Sequence, residues 1–496
     1  MVNVKRLFWA GLSLSCLSFQ GFAQDAVVKR AEIEQSKDID INSCIAVGKD
    51  GMILTVIDKD KQTERHKQTV SYWKYDKDLK EEKSVDIVSS EYRKTEYVIS
   101  NDYLYHFGYD YDGEFSITQI DAKTLANKHI ESTLGKKIDF DFSGAIGSDF
   151  YIAGRRREIP FVYCRNVVTG KESNVDLPVV DKDDCSLLCF QTDETTQEAY
   201  LVVKDGNRKV GTFLTFYAFK DGKQISSCKI KSSDENKFLM SASVSKTGDA
   251  SYVISGTYGL SERKQRLSSG VFVYKVEKGK IVFENFTNYL DITNFNSYLS
   301  ERRQEKIEHK KEKKEKKGEE FSLNYMMLPY AIQEFNDHYV LVGEAYYPTY
   351  RTELTTIYVN GRVQTSTRQV FDGYFFSHYF LLAFNQKGET IWSNSSPMSV
   401  RKSFIAYRHL SVSKEQEDVS VVYPSYTEVI SKVYNENGVK SEVKVPYAEN
   451  GQKVSKLREL DTQYWFDKTF LSTGYEKVKD ENGKRRVFFM DKIMIP

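Results

Sequence analysis

Short apolar runs separated by polar turns recur along the whole chain. In the stretch YFLLAFNQKGETIW, from Tyr379 to Trp392, an aromatic and aliphatic run is followed by a polar turn that ends at Gly388, and a second apolar run then begins. Runs of about four to eight apolar residues between turn residues are typical of antiparallel strands. Long helical periodicity is confined to one segment. The pattern therefore predicts an all-β protein.

The glycines that close these turns recur at a nearly constant spacing. They are Gly170, Gly222, Gly279, Gly388 and Gly438. Successive ones lie about 50 residues apart, and one interval is about twice as long because it contains an insertion. Around each glycine the runs follow the same order of four strands, which predicts the four-stranded antiparallel blades of a β-propeller. Stacked sandwiches also have many short strands, but they do not restart one strand order at a fixed interval.

Counting the units gives eight blades, with seven as the alternative because the first unit is the most degenerate. The units begin near Ile41, Glu96, Ile138, Cys185, Phe238, Tyr325, Phe404 and Val454. The last unit contains only three strands. Because an open sheet edge promotes aggregation, we expect the N-terminal run from Ala26 to Glu34 to supply the missing outer strand.

Length and composition agree with one repetitive architecture. A chain of 496 residues exceeds the size at which one compact core stops growing, about 250–300 residues. The 33 tyrosines and 30 phenylalanines favour β-structure. The net charge of +1 gives no overall attraction to nucleic acid.

The first 23 residues are predicted to be a secretory signal peptide. Lys5 and Arg6 precede a short apolar stretch, and Gly21 and Ala23 occupy the small-residue positions of a cleavage site. Residues 24–496 then form a single propeller domain in the periplasm or outside the cell. A lipid anchor on Cys16 is the weaker alternative, because the preceding residues fit a lipid-attachment box poorly. No later stretch is apolar for long enough to span a bilayer.

The cysteines do not indicate a disulfide framework or a metal site. Besides Cys16 they are Cys44, Cys164, Cys185, Cys189 and Cys228, which is an odd number for an exported chain. Cys185 and Cys189 share one face of a predicted strand, too far apart to bridge directly. A zinc site needs more ligands than this pair offers. We therefore expect free, buried thiols, and we predict neither a metal nor another cofactor.

A run of charged residues lies within a predicted insertion at 291–324. From Glu301 to Glu320, glutamates alternate with lysines and arginines at helical spacing, and Ile307 is the one apolar residue. Pairs of opposite charge three or four residues apart stabilise a solvated helix. The run is predicted to be an exposed helix, with polyanion binding as the alternative.

Two shorter motifs and a search for catalytic patterns do not point to an enzyme. Asp110, Asp112 and Glu114 alternate around Gly113, but the pattern of a calcium loop is incomplete and a hairpin turn is the simpler interpretation. Arg155 to Arg157 could bind an anion, although a polar strand end also accounts for them. No nucleophile elbow, zinc-protease motif or phosphate-binding loop is present. We therefore do not predict an enzyme.

The second insertion, at 344–373, carries the candidate binding residues. It includes a predicted extra hairpin that turns at Asn360 and Gly361. The candidate contacts are Tyr346, Tyr347, Tyr350 and Arg351. Exposed tyrosines beside an arginine are typical of binding surfaces. The alternative is that these tyrosines pack the extra hairpin onto its own blade.

The stretch from Gly373 to Pro397, with its aromatic run, FNQKGETIW and the serines that follow, resembles a stretch in uncharacterised exported β-propeller-like proteins of Gram-negative bacteria. The resemblance implies a fold and no activity. The rest of the chain shares only the style of the repeat.

The sequence thus predicts an exported binding or scaffold propeller of the cell envelope. We expect a monomer that binds an unknown protein or glycan and no nucleic acid. The alternative is an envelope hydrolase that acts on glycan or peptide in the central funnel. A third option is a subunit of a larger assembly that docks through blade edges. Because the chain reverses direction in each strand, four long excursions are expected on one face, which would be the working surface. They are the segments 258–270, 291–324, 344–373 and 475–486.

Overall fold

The computed structural model describes residues 26–62, 66–207, 209–261, 266–335, 338–359, 362–413, 418–447, 453–480 and 483–495. The predicted signal peptide and Cys16 lie outside these ranges. Among the described residues, no helix is both long and apolar enough to cross a membrane.

The strands of the described chain form eight antiparallel sheets, and each sheet is one blade. The first blade consists of β2 (Ile39–Ala46), β3 (Met52–Asp58), β4 (Lys67–Tyr75) and β5 (Glu81–Ser90). The second consists of β6 (Lys94–Ser100), β7 (Tyr103–Tyr109), β8 (Glu114–Asp121) and β9 (Asn127–Thr133). The third consists of β10 (Ile138–Ile146), β11 (Asp149–Arg156), β12 (Ile159–Asn166) and β13 (Glu172–Asp176). The fourth consists of β14 (Ser186–Asp193), β15 (Glu198–Asn207), β16 (Gly211–Lys220) and β17 (Lys223–Ile230).

In the fifth and sixth blades the first strand is broken into two pieces. The fifth blade consists of β18 (Phe238–Leu239) and β19 (Ser243–Gly248), then β20 (Ser251–Gly259), β21 (Gly270–Glu277) and β22 (Lys280–Asn288). The sixth consists of β23 (Met326–Pro329) and β24 (Gln333–Phe335), then β25 (His338–Val359), β26 (Arg362–Asn385) and β27 (Thr390–Pro397). The seventh consists of β28 (Ser411–Val412), β29 (Val419–Pro424), β30 (Glu428–Asn435) and β31 (Gly438–Pro446). The eighth consists of β32 (Lys453–Phe466), β33 (Thr469–Asp480), β34 (Gly483–Met494) and the N-terminal strand β1 (Val27–Glu34).

The N-terminal strand closes the ring. It pairs antiparallel with β34 over its whole length, from Val27 opposite Met494 to Glu34 opposite Val487. This confirms the prediction that the N-terminal run supplies the fourth strand of the last blade. It also confirms eight blades over seven.

A separate apolar core lies between each pair of neighbouring blades. Eight clusters of buried residues account for the eight interfaces, including the one between the eighth and the first blade. Aromatic rings fill much of this space; for example, the ring centroids of Phe216 and Tyr252 are 4.8 Å apart across the interface between the fourth and fifth blades. Burying one such side chain contributes about 1.5–3 kcal/mol. The abundance of tyrosine and phenylalanine is therefore largely a requirement of this ring of interfaces.

The glycine turns adopt the conformation that the repeat predicted. Gly170, Gly222, Gly279, Gly388 and Gly438 all have positive φ angles. At Gly388, with φ at +82°, an added Cβ would also lie 2.4 Å from the ring of Phe283 on the preceding blade. Glycine is needed there both for the turn and for the contact between blades.

The seventh blade begins later than predicted. The apolar run that starts at Phe404 reads as a strand, but the first strand of this blade is Ser411–Val412. The preceding segment, Met398 to Leu410, is instead an irregular link between two blades, because its backbone is bonded to other elements, as described below.

The predicted charged insertion contains the α-helix of the described chain, α1 (Glu301–Glu315), and none of its residues is buried. It follows β22 and precedes β23, so it connects two blades. The expectation of an exposed charged helix is confirmed.

The long excursions leave one face of the ring. In an antiparallel blade, the connection between the second and third strands lies on the same face as the link to the next blade. β25 and β26 are the second and third strands of their blade, as are β20 and β21, and β33 and β34. The segment that contains α1 is a link between blades. We call this side the arm face, and the other side the opposite face.

Candidate functional site

The most prominent feature of the arm face is a two-stranded ribbon. β23 pairs with β25 only as far as Tyr346, and β27 pairs with β26 only from His378 onward. Beyond these points β25 and β26 pair with each other, from Tyr347 opposite Phe375 to Val359 opposite Arg362, and within the described residues the one further backbone bridge to them is between Tyr374 and Ser403. At about 3.3 Å per residue, this ribbon, which we call the arm (347–375), is about 35–40 Å long. The extra hairpin predicted from the sequence is confirmed, although Asn360 and Gly361 at its turn lie outside the described residues.

The two faces of the arm differ in charge. One face carries no charged side chain over four successive pairs, and these are Tyr350 with Phe371, Thr352 with Gln369, Leu354 with Thr367, and Thr356 with Thr365. On the other face, Glu353 accepts hydrogen bonds at 2.8 Å from both Arg351 and Arg368. The first face is rich in hydroxyl groups and remains open to solvent.

The structure separates the predicted tyrosines into two groups. Tyr346 is half-buried, with its ring centroid 5.4 Å from that of Tyr374 and 5.5 Å from that of Phe376, and it packs onto the core between the sixth and seventh blades. Tyr347 is 47% exposed and Tyr350 is 59% exposed, and each contacts one aromatic ring of the opposite strand. Tyr346 thus has a packing role, whereas the other two present rings to solvent. That any of them contacts a ligand stays a prediction.

Arg351 belongs to a chain of charges at the base of the arm. Its guanidinium pairs with Glu353, and it also lies 3.7 Å from Asp372. Asp372 accepts a hydrogen bond from Lys402 at 2.8 Å. Hydrogen bonding and charge from Lys402, with a smaller effect of Arg351, hold the pKa of Asp372 below its ordinary value. Arg351 is therefore exposed but already paired.

A third exposed aromatic ring comes from a segment that was predicted to be a strand. In the link from Met398 to Leu410, Phe404 is 70% exposed and Ile405 is 72% exposed. The preceding Ser403 forms two backbone hydrogen bonds with Tyr374, at 2.7 and 3.2 Å, and this holds the link against the edge of the arm. The sequence signal for this site was present in the apolar run, but an alternating run does not show which of its residues stay uncovered.

The rings join into a row along the base of the arm. Phe371 lies 6.1 Å from Tyr350, 6.0 Å from Phe404 and 5.0 Å from Tyr374, measured between ring centroids. We call the three exposed residues Tyr347, Tyr350 and Phe404 the aromatic platform. Tyr350 and Phe404 share Phe371 as a neighbour, and Phe371 in turn packs on Tyr374, whereas Tyr347 contacts Phe375.

A buried carboxylate holds the link in place. Glu344 on β25 is fully buried, and its Oε1 accepts hydrogen bonds from the backbone N–H groups of His409 and Leu410, both at 2.8 Å, and from the hydroxyl of Tyr330. Its other oxygen lies 3.4 Å from Nδ1 of His409. A carboxylate used in this way orders the backbone of the link and is closed to solvent. We therefore assign Glu344 a positioning role.

Residues of the two neighbouring excursions lie on the other side of the arm. Tyr298, just before α1, stacks on His378 with ring centroids 4.2 Å apart. Burial raises the pKa of Tyr298, and the charge of Arg303 acts against that shift. Burial likewise raises the pKa of Tyr346, and the charge of Arg266 acts against that shift. The excursions thus converge on the base of the arm.

The other candidate motifs have structural roles. Arg155 pairs with Asp141 at 3.1 Å, and Arg156 lies 3.3 Å from Asp176, which agrees with a polar strand end. The N–H of Gly113 donates to the carbonyl of Asp110 in a hairpin turn. The five cysteines of the described chain are free, and four of them are buried. No group of metal-binding side chains occurs within the described ranges.

One carboxyl group near the central channel has an altered pKa. Asp461 lies on β32, the first strand of the eighth blade, and burial raises its pKa, while hydrogen bonds from Gln463 and the backbone of Thr462 act in the opposite direction. His409 is close enough to contribute as well. A carboxyl group that keeps its proton more readily than usual can serve as a general acid.

Comparisons with known proteins report similarity of fold only. No protein-family model matches the chain, and no curated protein matches it in sequence. Among solved structures, it is similar to the dihydro-heme d1 dehydrogenase NirN, with 11% identity over 81% of this chain and 72% of that chain and a TM-score of 0.41. It is similar to the β-propeller domain of the Trilobed protease from Pyrococcus furiosus, with 11% identity over 82% and 99% and a TM-score of 0.37. It is also similar to a polysaccharide lyase, with 12% identity over 94% and 100% and a TM-score of 0.39. The β-propeller assignment of this chain rests on its own strand order.

Proposed function

We propose that this chain is an exported binding or scaffold protein of the cell envelope that takes a protein or glycan ligand on its arm face. The observation that carries the proposal is the aromatic platform. Tyr347, Tyr350 and Phe404 each contact a partly buried aromatic ring and yet expose their own rings. Covering an exposed ring contributes about 1.5–3 kcal/mol, so three of them supply a useful binding energy.

The place of the platform supports the same function. Connecting segments on a rigid scaffold carry binding sites more often than the scaffold itself. Here two links between blades contact the base of the arm, one through Tyr298 on His378 and the other through Ser403 on Tyr374. Glu344 orders the second link, which presents Phe404. Export rests on the predicted signal peptide, and we propose that the mature chain is a monomer.

The proposal is tested by sedimentation of the labelled mature chain with envelope fragments, which contain both glycan and protein. The platform variant replaces Tyr347, Tyr350 and Phe404 by alanine. A matched control replaces three exposed apolar residues away from the arm face, Val168, Ile225 and Val439, by alanine. We expect the wild-type chain and the control to sediment with the fragments, and the platform variant to bind about tenfold or more weakly. Absence of cosedimentation, or equal binding by all three proteins, would contradict the proposal.

Hydrolysis of glycan or peptide in the central channel is the second candidate. The observation that favours it is the raised pKa of Asp461 beside His409. If it holds, envelope fragments incubated with the chain release new reducing ends or amino groups, and Asp461→Asn abolishes the release while cosedimentation persists. No release by the wild-type chain counts against hydrolysis and leaves the binding function intact.

A further inference from the structure

The charges around the arm indicate the class of ligand. Arg266 follows β20, Arg303 lies in the first turn of α1, and Arg401 lies in the link from Met398 to Leu410. Within the described ranges, none of these three guanidinium groups forms an ion pair with a carboxylate. The link itself contains Arg401, Lys402 and Arg408 and no acidic residue. Lys402 is paired with Asp372, so the positive charges left without a carboxylate partner among these are those of Arg266, Arg303, Arg401 and Arg408.

The arginines come from segments on both sides of the arm. Arg303 lies in the first turn of α1, five residues after Tyr298, whose ring stacks on His378 of β26. Arg401 donates to the carbonyl of Tyr426 at 3.3 Å, and its guanidinium carbon lies 5.8 Å from the centroid of that ring. Arginine presents a planar fork of donors that matches carboxylate and sulfate groups. A ligand that covers the exposed rings is therefore expected to carry carboxylate or sulfate groups on both sides of them.

The arm indicates that the ligand is extended and rich in hydroxyl groups. Its uncharged face exposes Thr352, Leu354, Thr356, Thr365, Thr367 and Gln369 over much of its length. Side-chain hydroxyl and amide groups can exchange hydrogen bonds with a polyhydroxylated chain. A ribbon of about 35–40 Å is much longer than a single sugar or a small metabolite. The exposed rings offer flat surfaces for the C–H faces of sugar rings.

We infer that the arm face binds an acidic polysaccharide, with sugar rings on Tyr347, Tyr350 and Phe404 and acidic groups on Arg266, Arg303 and Arg401. This inference rests on the proposed binding function and names its ligand class. The hydroxyl-rich arm favours an acidic glycan over an acidic peptide, because a peptide has fewer hydroxyl groups to form hydrogen bonds with the exposed threonines.

The test is electrophoresis in native gels cast with defined polymers. Polygalacturonate and its methyl ester share one backbone and differ only in whether the carboxylates are free, and poly-glutamate represents an acidic peptide. The arginine variant carries Arg266→Gln, Arg303→Gln and Arg401→Gln. The lysine variant carries Lys223→Gln, Lys278→Gln and Lys387→Gln, which removes the same number of charges from the opposite face. Blank gels correct for the change in mobility.

We expect polygalacturonate to retard the wild-type chain and the lysine variant to the same extent. The affinity of the arginine variant, derived from its retardation, should be about tenfold lower. Its methyl ester should retard all three weakly, and added salt should weaken the specific retardation. The inference would be overturned if poly-glutamate retarded the chain more strongly, if both galacturonans retarded it equally, or if both variants lost the same affinity. Absence of retardation in every gel would also overturn it, and cosedimentation with envelope fragments would then test the proposed function separately.

Discussion

The guanidinium of Arg30 donates to both carboxylate oxygens of Asp491, at 2.7 and 2.9 Å, across 461 positions of the sequence. Arg30 lies on the N-terminal strand and Asp491 on the last strand, so the pair joins the two ends of the chain. Arg30 also lies 3.3 Å from Glu476, and the three side chains are almost completely buried. The closure of the ring thus includes a buried cluster of charges.

Replacing Arg30 by methionine should destabilise the protein by about 3–5 kcal/mol, because two buried carboxylates would lose their cation. Denaturant unfolding measures the effect. Lys29→Met on the same strand is the matched control, since Lys29 pairs with Asp78 at the surface and such pairs contribute at most about 1 kcal/mol. If both variants lost an equally small amount of unfolding free energy, the buried cluster would not contribute to the stability of the closed ring.

Removing residues 26–34 should open the eighth blade. The edge of β34 would lose its partner along its whole length, and unpaired strand edges pair with other chains. We expect lower thermal stability together with oligomers in size-exclusion chromatography with light scattering. A truncated chain that stays monomeric and equally stable would disprove the role of this strand.

Glu476 should make stability depend on pH near neutrality. Burial, opposed by the charge of Arg30, raises its pKa from 4.5 to about 7. The folded state then binds a proton that the unfolded state releases, so this contribution is complete below pH 4.5 and is lost as pH rises through about 7. The loss amounts to about 3 kcal/mol.

Because glutamine stays neutral, Glu476→Gln should gain stability relative to the wild-type chain between pH 5 and pH 8. Unfolding titrations at several pH values measure the difference. Glu442→Gln, which removes a surface carboxylate paired with Lys444, is the control. A difference between Glu476→Gln and the wild-type chain that does not change with pH would contradict the assignment.

Replacing residues 301–317 with a short glycine and serine linker should change the melting temperature little. No residue of α1 is buried, and Lys311 with Asp291 is the ion pair with the body that the described chain shows. Phe295→Ala, only six residues before the helix, should cost about 3–5 kcal/mol because Phe295 packs in the core between the fifth and sixth blades. A large loss on excision would mean that the helix is part of the packed body.

Replacing Glu344 by alanine should loosen the link that carries Phe404. The N–H groups of His409 and Leu410 would lose their acceptor inside the protein, at a cost of about 1–3 kcal/mol for each buried group. Hydrogen exchange of these two amides should accelerate, whereas Glu344→Gln, which keeps a carbonyl oxygen, should show a smaller effect. If hydrogen exchange of these amides were unchanged in the alanine variant, the positioning role assigned to Glu344 would be wrong.

Much of the fold follows from local signals. Gly388 and its equivalents mark hairpins because their backbone conformation is set by neighbouring residues. The N-terminal strand could be placed by elimination, since a closed ring leaves only one open edge for it. Phe404 shows where such reasoning fails, because a short alternating run looks the same whether it lies in a strand or in an exposed link.

By itself, the sequence determined the blade repeat, the charged helix and the hairpin that forms the arm, because each depends on residues that are close together in the chain. It favoured eight blades over seven, and the pairing of β1 with β34 decided the count. Only the tertiary structure decided that Tyr346 packs while Tyr350 is exposed, that Glu344 holds the link at His409, and that Arg30 meets Asp491. These relationships depend on which strands become neighbours in the closed ring. A charge or a ring has no assigned partner until distant segments are brought into contact, and composition and spacing do not encode that contact directly.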